Sequence, residues 1–354
     1  MKIAIVAHLK FPIAEPFAGG LERHTHLLAT RLKARGHAVT LFASRGSDPS
    51  LGLVGVCDPT GDDCDDAVES AAYLTVMAQI AAGGFDVVHN NSLHVLPLRA
   101  SRTVPVPMMT VLHTPPFDPF VQGIHGRDPA MPMLAVSRSL AEEWSEIVPN
   151  AGVVGNGIDL DAFQFHERAC ESGYAFWSGR IVPEKGLHLA IDAARAANLP
   201  LMFAGPRPNR SYWGEAIAPR LGDGVLDLGH LDQPALSRWL GGASVALVSP
   251  RWEEPFGLVV AEALACGTPV AGFRRGALPE ILDDDTGRLA EPDDPLDLAR
   301  AAREACTLDR ASCRRRAETL FDADRMIDSY EENYRRMLAR DHAAASSPTA
   351  LERV

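Results

Sequence analysis

The sequence predicts an α/β protein of two domains, each a parallel sheet with helices on both faces. Three observations lead there. The chain has 354 residues, more than a single domain usually holds. Short apolar runs alternate with segments of helical period along most of its length. At two places an apolar run meets a Gly/Pro loop carrying charged residues and then turns into a helix.

Taken in order, residues 2–8 read as the first strand. The run is too brief for a secretory leader, and Gly- and charge-bearing sequence follows it. A loop over 9–20 leads into a helix over 21–35, where Leu21, Thr25, Leu28 and Leu32 share one face. Gly36 supplies the helix stop, and 39–43 is the second strand. This βαβ opening lacks G-x-G-x-x-G, yet Gly19 and Gly20 still permit close backbone approach at a helix start. Residues 45–66 read as loop; the acidic set Asp58, Asp62, Asp63, Asp65 and Asp66 has no calcium-loop spacing and reads as solvated. A helix over 67–82 and a strand over 85–89 follow. The strand over 108–112 ends at His113-Thr114-Pro115-Pro116, which sets an imidazole at a strand's C-terminal end. After the strand 133–136, Ser137 or Ser139 caps a helix, and Ser139-x-x-Glu142 fits a capping box. Residues 152–157 close the first domain at the Asn156-Gly157 turn, and 160–173 read as linker.

In the second half, strands are expected over 174–178, 200–204, 225–229, 244–249 and 268–272. Helices are expected over 187–197, 234–241, 257–266 and 295–306. An amphipathic helix over 321–338 precedes a tail from about 341 that should be disordered.

The chemistry concentrates in two stretches. In Glu254-Pro255-Phe256-Gly257-Leu258-Val259-Val260-Ala261-Glu262 the helix begins near Gly257. The amides of Gly257 and Leu258 then lack intrahelical partners and, with the helix dipole, form an anion site. Glu254 on the loop and Glu262 on the helix flank it, and carboxylates accept hydrogen bonds from paired hydroxyls. A diphosphate between two polyols has that shape. In Trp177-Ser178-Gly179-Arg180-Ile181-Val182-Pro183-Glu184-Lys185-Gly186, two cations sit beyond a strand's carboxyl end. Arg can fork phosphate oxygens, and Lys offers a point charge.

These residues resemble those of the retaining glycosyltransferases of family 4. The resemblance rests on Ser-Gly-Arg-x-x-x-x-Lys-Gly, then Glu-x7-Glu within Glu-Pro-Phe-Gly-Leu, with Ala18-Gly19-Gly20-Leu21-Glu22 and Gly155-Asn156-Gly157-Ile158-Asp159 upstream. It spans nearly the whole chain. It implies the GT-B fold: two Rossmann-like domains, residues 1–160 on the acceptor side and 161–320 on the donor side, facing across a cleft. It also implies that a final helix, about 321–340, crosses back to the first domain. Arg180 and Lys185 would neutralise the diphosphate of a nucleotide sugar, Glu262 would hold the ribose and Glu254 the transferred sugar. Gly19, Gly20, Phe256, Gly257 and Leu258 would line the donor, with His230 and Leu231 near the base. Glu22, His113 and Asn156 would face the acceptor. One departure stands out: Arg275-Gly276-Ala277-Leu278-Pro279-Glu280 has a single glycine where relatives often have two.

The implied activity is transfer of a sugar, with retention and same-face attack, from a nucleotide diphosphate donor to a small-molecule or glycan acceptor. UDP-glucose heads the donors. The alternatives are a sugar-nucleotide epimerase of the same fold and a noncatalytic binding module. No cofactor or metal is expected, since the two cations take the metal's place. The net charge of −12 argues against nucleic acid or anionic membrane as a partner. No stretch has the length and apolarity of a membrane span. The cysteines are scattered, with no zinc-ligand spacing, so free thiols and a cytoplasmic setting are expected. The sequence pattern specifies no oligomeric state.

Overall fold

A computed structural model describes residues 1–61 and 66–346, with side chains to residue 341. The elements run β1 (Lys2–Ala7), α1 (Gly20–Ala34), β2 (Ala38–Ala43), β3 (Leu53–Gly55), α2 (Asp66–Ala82), β4 (Val87–Asn91), α3 (Val95–Ala100), β5 (Met108–Leu112), α4 (Asp118–His125), β6 (Met133–Ala135), α5 (Arg138–Glu143) and β7 (Gly152–Val153). There follow β8 (Ala175–Ser178), α6 (Leu187–Ala197), β9 (Leu201–Ala204), the short α7 (Arg210–Tyr212), β10 (Val225–Asp227), α8 (Gln233–Gly242), β11 (Val245–Val248) and α9 (Leu258–Ala265). The chain finishes with β12 (Val270–Phe273), α10 (Leu278–Ile281), β13 (Gly287–Ala290), α11 (Pro295–Ala305), α12 (Arg310–Leu320) and α13 (Ala323–Ser346).

Two parallel sheets form, in the orders β3-β2-β1-β4-β5-β6-β7 and β10-β9-β8-β11-β12-β13. Central strands are buried on both faces, which is why β1 and β11 read as unbroken apolar runs rather than alternating ones. Each sheet reverses its strand order once, between β1 and β4 and between β8 and β11. Loops diverge at such a reversal and leave a crevice at the carboxyl ends of the strands.

The chain passes between the domains at two points that touch. Ile158 N–H donates to Phe321 O at 2.7 Å, and Ala323 N–H returns the bond to Ile158 O at 3.1 Å. Gly157 is required there, because a Cβ would lie 2.6 Å from Ala323 Cα. From that crossing α13 runs over the first domain: His37 Nε2 meets Glu331 Oε1 at 2.9 Å, and His89 Nδ1 meets Tyr334 Oη at 2.7 Å.

Several sequence expectations need correction. The strand read as 85–89 lies at Val87–Asn91, because the polar residues His89, Asn90 and Asn91 are themselves wholly buried strand members: His89 Nε2 bonds Asn91 Oδ1 at 3.1 Å, and Asn90 Nδ2–H donates to Thr110 Oγ1 at 3.0 Å. The capping box at Ser139 does not form; Ser137 Oγ caps α5 by accepting from Leu140 N–H at 3.0 Å. The Ser139 N–H instead donates to Glu280 Oε2 of the other domain at 3.3 Å. Strands β3 and β13 and helices α3, α4, α7, α10 and α12 were not expected; β3 falls inside the stretch read as loop. Helix α13 continues to Ser346, past the point where the tail was expected to begin. Asp62, Asp63, Cys64 and Asp65, and residues 347–354, lie outside the described residues.

Candidate active site

The two strand reversals face each other, and a cavity of about 390 Å³ lies between them. Gly19, Gly20, Glu22, His113, Asn156, Arg180, Lys185, Glu254, Phe256, Gly257 and Leu258 all line it. A smaller recess of about 110 Å³ adjoins it, walled by Gly19, Gly20, Arg180, Leu258, Glu262, His230 and Leu231. The fold therefore gathers every residue singled out from the sequence.

On the second domain, backbone geometry does the positioning. Gly186 has φ +66°, and a Cβ there would lie 2.1 Å from Ser249 O. This close crossing pins the turn bearing Lys185 to the end of β11, the strand that leads to Glu254. Ser249 Oγ reinforces it by donating to Gly186 O at 3.0 Å. Lys185 Nζ consequently reaches Glu254 Oε2 at 2.6 Å, and Trp252 Nε1–H donates to the same oxygen at 3.0 Å. The single glycine of the 275–280 loop proves to be the one the geometry needs. Gly276 has φ +53°, and a Cβ would collide with the Glu254 backbone at 2.2 Å. Ala277 N–H then holds Glu254 O at 2.9 Å.

Gly257 caps α9 with φ +85°, a conformation L side chains rarely adopt. The bond from Val260 N–H to Gly257 O, 2.9 Å long, opens the helix and leaves the preceding amides ahead of it at the cavity wall. Phe256 contributes mainly by packing: it is buried and meets Phe321 edge-on with ring centroids 5.8 Å apart. Arg180 stands nearly free, 4.0 Å from Glu184.

Glu262 is 1% exposed and ion-paired through Oε1 with Arg23 of α1, across the cleft. Its other oxygen, Oε2, is buried without a partner among the described residues. A buried carboxylate oxygen left unbonded is costly and marks a place where a hydroxyl donor fits. Asn156 Oδ1, at the first domain's edge of the cavity, is likewise buried and unpartnered among the described residues. His230 Nε2 meets Phe17 O across the cleft at 3.1 Å.

The first domain's wall is built differently. His8, just beyond β1, brings Nε2 to 2.8 Å from Glu22 Oε1. Burial pushes the Glu22 carboxyl upward, but His8, by hydrogen bond and charge, outweighs it and holds the group below the ordinary glutamate range. Gly19 is extended rather than left-handed, and its lack of a Cβ leaves room for Glu22 Oε2 at 3.0 Å. His113 Nε2 bonds Asn91 Oδ1 at 2.9 Å, and burial lowers its pKa well below the usual histidine value. His24 lies edge-on to it at 4.9 Å, its own pKa lowered by burial to about 4. Sequence reasoning missed Arg23, His8, His24, Asn91 and Trp252. The one available signal was the polar run His89-Asn90-Asn91-Ser92 closing an apolar strand. Among the described residues, no group of three or more His, Cys, Asp or Glu side chains converges as metal ligands, and no helix is long and apolar enough to cross a membrane.

Two facing doubly wound domains with a cation–carboxylate site at their junction make the GT-B fold. Comparison with known proteins places the chain further. Residues 18–162 match the model of Glycosyltransferase Family 4, and residues 161–319 that of Glycosyl transferases group 1. The chain belongs to the family 4 glycosyltransferases. It is similar to a glycogen synthase of Mycobacterium tuberculosis, 28% identical over 84% of this chain and 85% of that one. It is also similar to a phosphatidyl-myo-inositol mannosyltransferase of the same species, 26% identical over 85% of each. Among solved structures, Anabaena HepE in complex with UDP-glucose shares the fold, with a TM-score of 0.76, 15% identity and coverage of 95% of this chain and 100% of that one. The epimerase and binding-module readings draw no support from these relatives.

Proposed function

We propose that this glycosyltransferase moves a hexosyl group from a UDP-sugar, UDP-glucose first, to a hydroxyl of a small-molecule or glycan acceptor, with retention and without a metal. The observation that carries the reading is the junction of Lys185, Glu254 and the open amides of α9 beside the orphaned Oε2 of Glu262. The diphosphate sits over the α9 amides, where Lys185 and Arg180 oppose the charge that builds on the leaving phosphate. These two cations supply the positive charge that a divalent ion supplies elsewhere. Glu262 Oε2 accepts from the ribose, and Glu254 from the transferred sugar.

Retention needs either a carboxylate nucleophile or attack on the face the phosphate leaves. Glu22 lies against His8, and Glu254 is held by Lys185 and Trp252. Glu69, the third carboxylate of the main cavity, accepts from Thr60 Oγ1–H at 2.6 Å. All three are thus engaged, which favours same-face attack, with a leaving phosphate oxygen taking the acceptor proton. His113 meets a hydroxyl of the sugar or acceptor. The UDP preference draws on HepE, a solved neighbour that carries UDP-glucose.

A thermal-shift screen of UDP-, ADP- and GDP-sugars tests the donor. Ligand at a hundred times its dissociation constant adds about 2.7 kcal/mol of stability, so the UDP-sugar should raise the Tm clearly. A larger shift with GDP- or ADP-sugars would replace the donor assigned here. Activity should survive exhaustive EDTA; loss restored by Mg²⁺ or Mn²⁺ would overturn the metal-free reading.

A further inference from the structure

A run of buried polar groups behind His113 has no part in the reaction as drawn above. Asn91 ends β4, the strand between β1 and β5, and it is wholly buried. Its Oδ1 receives two imidazoles at once, His113 Nε2 at 2.9 Å and His89 Nε2 at 3.1 Å. Its Nδ2–H donates to Thr25 Oγ1 at 3.3 Å, which orients the amide. An amide oxygen only accepts, so both Nε2 atoms carry hydrogen. His89 Nδ1 is then a lone pair, and Tyr334 O–H of α13 donates to it at 2.7 Å. The direction of each bond is thereby fixed: Tyr334 donates to His89, and His89 and His113 both donate to Asn91 Oδ1, where the two arms converge. Around it stand His24 of α1, edge-on to His113 at 4.9 Å, and Tyr330 of α13, edge-on to His89 at 4.8 Å. His8 and its partner Glu22 line the same cavity. His113 itself is partly open to the cavity, and its Nδ1 has no partner among the described residues.

We propose that Asn91 is a positioning residue that locks His113 as the neutral Nε2–H tautomer, so that Nδ1 faces substrate as a hydrogen-bond acceptor. Tyr334 completes the lock from the C-terminal helix, through His89. The proposal rests on the reading of His113 as a cleft residue that meets a hydroxyl. It specifies the polarity of that contact: the substrate hydroxyl donates and the imidazole accepts. Burial among other imidazoles supports it, since His89 and His113 both resist protonation there.

Two measurements test it. The first is long-range ¹H–¹⁵N NMR of the full chain labelled at histidine, which reads the tautomer directly and needs no variant. His113 should appear neutral with the proton on Nε2 from pH 8 down to about pH 5.5, well below an ordinary histidine midpoint. An Nδ1–H signal for His113 overturns the proposal. The second is the pH profile of Asn91→Asp. A carboxylate in place of the amide favours imidazolium, and an imidazolium offers no lone pair to a hydroxyl. kcat should therefore drop about tenfold near pH 6, the scale of one lost hydrogen bond, and recover as pH rises. KM for the donor should move little, and Tyr334→Phe should give a smaller kcat loss. A loss in Asn91→Asp that is uniform with pH overturns the positioning role and leaves only packing. His113→Ala at the wild-type rate removes the reading of His113 itself, and the proposal with it; a slow His113→Ala beside a pH-independent Asn91→Asp removes the positioning role alone.

Discussion

The two walls of the cleft solve the same problem with opposite materials. The second domain's wall is made of formal charges and glycine-shaped backbone: Lys185 on Glu254, Arg180 nearly free, and amides opened by Gly257. The first domain's wall is made mainly of neutral imidazoles and amides, with His24, His89 and Asn91 at or near zero exposure. A diphosphate needs strong, partly hydrated charge, which a half-open surface supplies without heavy desolvation. Sugar hydroxyls need directed neutral donors and acceptors, which a buried network holds in place. Under the proposed function, charge sits where the leaving group would depart, and fixed dipoles sit where hydroxyl groups would be held.

The largest effect that tests this division is expected from Lys185→Ala. Removing a preorganised cation from a developing oxyanion costs about 10²–10³ in kcat. Steady-state kinetics should show that loss with little change in Tm, because the pair with Glu254 is only partly buried. Near-normal turnover would make the charged wall structural and break the comparison.

The glutamates come next, and structure separates them further than sequence did. Glu254→Gln should fall on kcat by one to two decades, the scale of about 1.5–3 kcal/mol for a charged hydrogen bond, while UDP still binds normally. Glu262→Gln should raise KM and weaken calorimetric binding of UDP. It should also lower the Tm, because Arg23 loses the charge of a buried partner. The reverse pattern would mean the donor lies the other way round.

The imidazole wall predicts a smaller, acid-side effect on stability. His24 and His89 titrate in the fold near about 4 and about 3, both below the ordinary 6.5. Between 6.5 and those values the unfolded chain binds protons that the fold refuses, so stability falls as pH falls. Glu22, lowered on balance by His8, adds to the same trend in the acid range. Thermal melts should hold steady above about pH 7.5 and drop by several degrees by about pH 5. His89→Leu should flatten that slope; an unchanged slope would show that these rings are not the buried neutral groups drawn here. The smallest effect is expected from Trp252→Phe, which removes one donor from Glu254 Oε2 and should lower kcat by about threefold.

The two walls also differ in how they could be read from sequence. Glu254, Gly257 and Glu262 lie within one turn-and-helix, and Arg180 to Gly186 within another, so two short stretches and their resemblance to the family pointed to them. Both depend on local rules: a glycine where φ is positive, free amides at a helix start. His8, His24, His89, Asn91 and His113 come from four separate elements. Only the strand order brings them together, and no local rule states that β4 lies between β1 and β5. His113 was found because it ends a strand beside a Pro-stiffened loop. Asn91 was missed because a polar residue at the end of an apolar run looks like the run's end rather than its buried last member. Arg23 lies on an amphipathic helix with no local signal for a partner, and only the facing domain gives it Glu262. Glu280 was visible in its motif, but not its reach across to α5.

The crossing between the domains carries a mechanical consequence. A single strand joining two bodies lets them swing and also spin. Here Ile158 and the Phe321–Ala323 segment run side by side, tied by hydrogen bonds of 2.7 and 3.1 Å. Two tethers fixed to each other at one spot resist torsion. The same pin holds the two walls in one relative orientation, in which Arg23 meets Glu262 and the Ser139 N–H at the start of α5 meets Glu280.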